Sequence, residues 1–393
     1  MPTAYHHGAR VQETSDAPLS LPTVSTAVIG LIATATDADA DAYPLDQPVL
    51  LTRPQTGLAK AGTKGTLAAS LQAIADQVTC PVVVVRIAEG VVAEATTSHA
   101  IGGTSAQGRY TGMKALLSAE QRLGVRPRIL GCPGLDTKPV TTALVSLAQQ
   151  LKGFAYASCA DCATVSDAKL YRKGFGAREL MLIWPDFTRW DTIKNVETKA
   201  QTIALALGLR AKLDEQVGWH RVLSNMPVNG VGGIDKDVYF DYLTEGTDAD
   251  LLNEAGVTTL INRNGLRFWG SRTCDDGDFI FESYTRTAQV VSDTIGQGVF
   301  EYSDKPMHAS LVRDLVESIN DRLRSLVRQG FLLGGHCWFD STLNATADLK
   351  LGKVAISYDY TPVPPLEDLT LRQTFTDTYV ADLAAAVAAT NNA

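Results

Sequence analysis

The sequence holds no run approaching the ~18–20 apolar residues of a membrane-crossing helix. The apolar stretch at residues 81–87, interrupted by Arg86, suits one buried strand. Cysteine is scarce and scattered, with six in 393 residues at positions 80, 132, 159, 162, 274 and 337. That spacing excludes the dense disulfide framework of a small secreted domain and implies reduced thiols. Positive charge is in deficit: 35 Lys and Arg stand against 43 Asp and Glu, for a net charge of −8. A dedicated nucleic-acid binder needs a basic face, so that class is excluded. Residues 1–7 carry no charged stretch followed by an apolar run, so no secretory signal is expected and the chain is expected to be made and folded in a cytosol.

What is present is the composition of a globular protein, 45% hydrophobic and 20% charged, with length for two or three domains. Residues 24–33, 49–52 and 82–87 are expected as strands, with a helix over 65–77 on which Leu67, Leu71 and Ile74 share a face. From 110 to about 218 helix and strand patterns alternate. Helices are expected over 112–123, 139–152, 167–173 (capped by Ser166) and 197–216, and strands over 127–130, 154–157 and 180–184. Such alternation implies parallel pairing with helices packed on the sheet. Asn264-Gly265 joins two short strands as a hairpin turn. Residues 309–329 form an amphipathic helix: Val312, Leu315, Ile319, Leu323, Leu326 and Val327 make one stripe, and Arg313, Asp314, Glu317, Asp321, Arg324 and Arg328 the other. Residues 354–360 alternate as a half-buried strand, and the alanine-rich end, 381–392, is expected to form a short helix or to fray.

Both termini carry a strand-like segment set off by prolines. Residues 9–14, with Val11 and Glu13, precede Pro18 and Pro22. Leu369, Leu371 and Phe375 lie on one side of an expected strand that follows Pro362, Pro364 and Pro365. A lone strand has unpaired N–H and C=O groups. Two arrangements satisfy them: strand exchange into another subunit, or ordinary edge positions in the chain's own sheet.

Candidates for chemistry are few. Cys159 and Cys162 have CxxC spacing, without the aromatic-Cys-Gly-Pro context of a redox motif or the second pair of a zinc site. His6 and His7 lie in the N-terminal arm, and His99, His220 and His336 are isolated, which favours structural or solvated roles. Residues 230–233 are glycine-rich but lack a following Gly-Lys-Ser/Thr, so a turn is expected. Asp248 and Asp250 lack the closing Glu of a calcium loop, and no GxSxG elbow occurs. No catalytic, cofactor or metal residue is assigned.

Several stretches, in order along nearly the whole chain, resemble the tail sheath proteins of contractile-tailed phages. The likeness is to the short-sheath group of temperate enterobacterial myophages and R-type pyocins. They include residues 65–74 (GTLAASLQAI), 128–131 (RILG) with 133–137 (PGLDT), 183–187 (IWPDF), 247–254 (TDADLLNE), 267–270 (RFWG) and 359–367 (DYTPVPPLE). The resemblance implies an α/β fold, α+β overall. Residues 106–249 would form an inserted, layered α/β outer domain, subtilisin-like in shape, on a discontinuous inner core of residues 24–105 and 250–360. Residues 1–23 would be an N-terminal arm, and 361–393 a linker, exchange strand and tail.

It also implies hexameric rings stacked helically around a tail tube and tied by exchanged arms. Val11, Glu13, Leu369, Leu371 and Phe375 would be the linking residues, and Pro18, Pro22, Pro362, Pro364 and Pro365 the hinges. Arg313, Glu317, Arg324 and Arg328, or the terminal alanine-rich segment, would face the tube, against the alternative of solvated surface. Implied partners are other copies of the chain, the tube, the baseplate and the tail terminator, with no nucleic acid, membrane insertion or cofactor. The subunit would be made in the bacterial host cytoplasm and assembled into a phage tail or headless bacteriocin. A cytosolic α/β enzyme with a small β domain and a static virion scaffold are the competing classes. Tubes of two lengths, rather than a small oligomer or a fixed shell, separate the sheath from both.

Overall fold

A computed structural model of the chain describes residues 25–191 and 195–390. Its strands are β1 (Ile29–Thr34), β2 (Pro48–Leu51), β3 (Val82–Ile87), β4 (Ile129–Gly131), β5 (Phe154–Ser158), β6 (Leu180–Ile183), β7 (Phe187–Asp191), β8 (Val196–Lys199), β9 (Gly233–Ile234), β10 (Val257–Asn262), β11 (Leu266–Trp269), β12 (Leu332–Phe339) and β13 (Ile356–Pro362). Eight of them make one sheet in the order β11-β10-β6-β5-β4-β1-β3-β2. The inner strands are parallel, and the two edges, β2 and β11, are antiparallel.

Alternation along each inner strand explains the layers. Ile29, Leu31 and Ala33 of β1, Val82 and Val84 of β3, and Phe154 and Tyr156 of β5 enter one core, under helices Leu67–Ala75 and Thr202–Gln216. Ile32, Val83, Val85, Ala155 and Ala157 enter the other, under Lys138–Leu151, Val165–Arg172 and Asp248–Glu254. Strands apolar on both faces need helices on both faces, as parallel sheets do. The sheet runs across the boundaries expected at 105/106 and 249/250, because β1 pairs with both β3 and β4, and β10 pairs with β6.

A further layer lies beyond residue 281. Helices Glu282–Phe300 and Ala309–Arg328 and the hairpin β12–β13 share a third core of Trp219, Val290, Val291, Ile319, Leu323, Leu326, Leu332 and Cys337. The Glu282–Phe300 helix joins this layer to the sheet. Val290, Val291, Ile295 and Val299 serve the third core. Glu282, Arg286, Gln289 and Asp293 recur at helical spacing and point into the body. There, buried charges close a network. Arg210 Nη2 lies 2.7 Å from Asp214 and its Nη1 3.2 Å from Glu282, while Arg286 pairs with the other Asp214 oxygen. Tyr156 Oη donates to Glu282, whose second oxygen accepts the Leu223 N–H at 3.1 Å. Burial alone would pull the Arg210 guanidinium down, but Asp214 and Glu282 more than reverse it and hold it above its ordinary value. Further along the helix Asp293 meets Arg128 at 2.5 Å, and Gln289 donates to the Gly153 carbonyl at 2.7 Å. Burial lowers the Arg128 guanidinium to about 10, partly countered by Asp293.

Some elements differ from expectation. The helix expected from 197 begins at Thr202, because residues 196–199 pair with β7 as strand β8. Residues 112–118 are 3-10 helix before the short α-helix Ala119–Leu123. Thr164, not Ser166, caps Val165–Arg172, since its hydroxyl accepts from Asp167 N–H while Asp167 accepts from Thr164. The Asn264-Gly265 turn is as expected, with φ of 51° and 100° closing β10 onto β11.

Removing one side of the buried network strands its partners. Asp214→Ala leaves the Arg210 and Arg286 guanidiniums short of their anion and is expected to cost about 3–5 kcal/mol. Urea unfolding of the purified chain measures it; a loss below about 1 kcal/mol would contradict the assignment.

Candidate inter-subunit interface

The expected linking, hinge and charged residues fall, where described, in the C-terminal layer and the segment that leaves it. Gly330, at φ 80°, ends the Ala309–Arg328 helix and lets the chain reverse into β12. β12 and β13 form a two-stranded antiparallel sheet. Residues 335, 337 and 339 of β12 and 356, 358 and 360 of β13 share the face toward the helix, where Cys337 is buried. Between the helix and the hairpin end lies a groove of about 440 Å³, walled by Met307, Val312, Val316, Phe339, Leu349 and Val354.

Pro362 is the last residue of β13 and pairs with Leu332. Residues 363–377 then form neither helix nor strand. Arg272 holds the first part of this segment, its Nε and Nη2 meeting both Glu367 oxygens at 2.9 and 2.8 Å. Beyond that anchor Leu369, Leu371 and Phe375 are 59%, 80% and 96% exposed. The strand expected here is absent because a strand exists only with a neighbouring ladder, and none of the described residues supplies one. The helix Thr378–Thr390 follows, with Tyr379, Val380, Leu383 and Val387 also exposed. Val11, Glu13, Pro18 and Pro22 lie outside the described residues.

Arg313, Glu317, Arg324 and Arg328 all sit on the exposed face of the Ala309–Arg328 helix. Arg324 contacts Asp321 at 2.5 Å and Glu317 at 3.5 Å, so part of this face is neutralised locally. Such exposed pairs contribute little to stability.

The candidates for chemistry resolve into structure. Burial pushes the Cys159 and Cys162 thiols up, opposite to what a redox dithiol needs. Asp250 is half of a capping box with Thr247. The glycine-rich turn is latched by Gln77, which accepts from Asn229 N–H at 3.1 Å and donates to its carbonyl at 2.8 Å. The His220 ring packs edge-on against Phe331, and burial lowers its pKa.

Sequence reasoning did not anticipate Arg272, Glu367 or the Glu282–Phe300 helix. An Arg and a Glu 95 residues apart give no local signal of pairing.

Family models described as phage tail sheath protein central domain, phage tail sheath C-terminal domain and tail sheath protein Gp18 domain III N-terminal region match residues 108–274, 275–376 and 26–87. The chain is 53% identical over 390 residues to the tail sheath protein of Escherichia phage P2, covering 98% of each. It is 49% identical over 378 residues to the major tail sheath protein of Serratia phage KSP20, covering 95% of this chain and 96% of that one. In fold it is similar to the helical sheath of the anti-feeding prophage in its contracted state, with a TM-score of 0.72 at 18% identity over 93% of this chain and 98% of that one. It is also similar to the contracted sheath complex of an extracellular contractile injection system, PVC, with a TM-score of 0.70 at 17% identity over 95% and 98%.

Arg272→Ala is expected to leave global stability within about 1 kcal/mol, because the pair is partly exposed. It is also expected to raise the rate of limited proteolysis within residues 366–377 several-fold. Unchanged cleavage would show that the ion pair does not anchor the segment.

Proposed function

The chain belongs to the phage tail sheath protein family, and on that premise we propose that it is the mechanical subunit of a contractile tail, linked to its neighbours by both chain ends. The observation that carries this is the segment after Glu367. Leu369, Leu371 and Phe375 stand in solvent, and no strand among the described residues pairs with them. Leaving large apolar side chains exposed is costly, and strand addition to a second copy buries them while pairing the backbone. Residues 9–14 are assigned the same role from the other end, with Val11 and Glu13 as linking residues. The prolines at 18, 22, 362, 364 and 365 are assigned the hinges, since fixed φ angles let a tethered strand stay attached while rigid bodies turn.

In this role the subunits stack as hexameric rings around a tail tube, bounded by the baseplate at one end and the tail terminator at the other. The exposed Arg313, Glu317, Arg324 and Arg328 are assigned to the tube side. Contraction draws on subunit contacts that are better satisfied in the short array than in the long one, so the work is stored in packing and needs no bond cleavage. The tube is thereby driven through a bacterial envelope. The subunit is made in the host cytoplasm, acts as part of the particle, and has a structural rather than catalytic role.

Deleting residues 1–15 is expected to abolish tubes and high-mass rings in negative-stain micrographs while circular dichroism still reports a folded chain. Phe375→Asp with Leu371→Asp is expected to do the same from the other end. Tubes formed by either variant at wild-type yield would sink the linkage at that end.

A further inference from the structure

Cys159 and Cys162 bracket the turn that follows β5. The Cys162 N–H donates to the Cys159 carbonyl at 3.4 Å, across Ala160 and Asp161. Asp161 sits at φ 59°, in the left-handed region that the third residue of a type II turn requires. The turn is also held from outside at both ends. The Cys159 N–H donates to the Ile183 carbonyl at 3.1 Å, and Trp184 Nε1 donates to the Cys162 carbonyl at 3.0 Å. The backbone of both cysteines is therefore set before any bond joins their sulfurs.

That setting is the one a disulfide needs. The first and fourth residues of a β-turn have Cα atoms closer than about 7 Å, and bridged cysteines have theirs about 4.4–6.8 Å apart. The Cys162 thiol folds back over the turn and donates to the Ala160 carbonyl at 3.5 Å. Cys159 is buried, whereas Cys162 is partly exposed. Cys274 is near enough to act on the Cys159 thiol electrostatically, but it is fully buried and its sulfur accepts the Leu182 N–H. All six cysteines are free thiols.

We propose that Cys159 and Cys162 are an oxidation site, closed to a disulfide by a peroxide-class oxidant once the chain has left a reducing cytosol. Cys162 is the sulfur that meets the oxidant. Its thiolate attacks one peroxide oxygen, the O–O bond breaks, and after proton transfer Cys162 sulfenic acid and one water remain. The Cys159 sulfur then attacks the sulfenic sulfur, the S–O bond breaks, and a second water leaves with the Cys159 proton. Two thiols lose two electrons and two protons in all, and one peroxide becomes two waters. Burial holds both thiols above their ordinary range, so thiolate is scarce and oxidation is slow. The same property makes each sulfur a poor leaving group, so the bond once made is slow to reduce. That is the behaviour of a structural bond rather than of an exchange catalyst. The closed ring ties β5 to the Val165–Arg172 helix, whose Ala168 packs with Ala157 and Cys159 in the second core. The site lies on the sheet and involves neither chain end.

Trypsin releases both cysteines in one peptide, residues 153–169, and Cys274 in another, residues 273–286. The purified full chain is held with hydrogen peroxide, free thiols are blocked with iodoacetamide, and the unreduced peptides are weighed. The 153–169 peptide is expected without alkyl groups and lighter than its reduced form by two hydrogen atoms, and reduction before blocking is expected to restore both alkylation sites. A crosslink between 153–169 and 273–286 would overturn the pairing. Two alkylated cysteines after prolonged excess peroxide, or Cys162 sulfinic acid beside an alkylated Cys159, would overturn the site.

Cys159→Ser removes the resolving sulfur. With peroxide and dimedone together, its Cys162 is expected to carry about tenfold more dimedone adduct than in the wild-type chain, where Cys159 consumes the sulfenic acid first. Equal labelling would show that Cys159 does not resolve it. Should Cys159→Ser not fold, Cys162→Ser, at the partly exposed position, is read instead: its Cys159 is expected to remain alkylated after peroxide, and loss of that alkylation would overturn Cys162 as the point of entry. On heating, the oxidised wild-type chain is expected to unfold about 2–4 °C above the reduced chain, a shift that both variants lack. No shift in the wild-type chain, or the same shift in Cys162→Ser, would overturn the lock on the turn.

Discussion

The structure turns on one helix that is charged on one side and apolar on the other. Glu282–Phe300 sets Glu282 and Arg286 into a closed network with Arg210 and Asp214, and Asp293 against Arg128. Its valines face a separate core beneath the β12–β13 hairpin. Two cations and two anions in the main network balance, so burial is tolerable only while all four are present. Packing that tolerates loss of one methyl group does not tolerate loss of one of these charges. The hairpin is thereby fixed to a parallel sheet whose own elements pack tightly on both faces. Force that reaches the hairpin passes into that sheet through this helix and through Trp219, which stacks on Phe331.

In the proposed linkage a tail subunit needs such stiffness, because a few residues of backbone would join one copy to the next and would transmit motion only if the part they grip does not deform. The segment proposed to link copies is anchored at Glu367, exposes Leu369, Leu371 and Phe375 beyond it, and is set off by the prolines at 362, 364 and 365. The rigid body, the proposed hinge and the proposed sticky end each have a different chemical basis: paired buried charge, fixed φ, and exposed leucine.

The sheet was legible in the sequence because its strands are runs of Val, Ile, Leu and Ala whose alternation survives even with both faces buried. The amphipathic Ala309–Arg328 helix was legible for the related reason that its stripe is apolar. Glu282–Phe300 was not, because the residues it buries include Glu282, Arg286 and Asp293, and a pattern search scores such positions as solvent. β12 was hidden by Gly334-Gly335, which carry no strand signal of their own. β8 was hidden by helix-favouring residues that pair with β7 through tertiary context. At the candidate interface the exposed leucines and prolines were visible as a pattern. Their anchor at Arg272 was not, since it is defined by a partner distant in sequence.

The ion pair between Arg272 and Glu367 acts as a ruler. Eight residues separate Glu367 from Phe375, and a fully extended chain spans at most about 3.3–3.6 Å per residue, so the tip travels no more than about 29 Å from its clamp. Any docking position farther away is out of range until the clamp lets go. In the proposed linkage the reach of the arm while clamped is thus bounded by one surface salt bridge, and ionic strength, which weakens such a bridge, lengthens the leash.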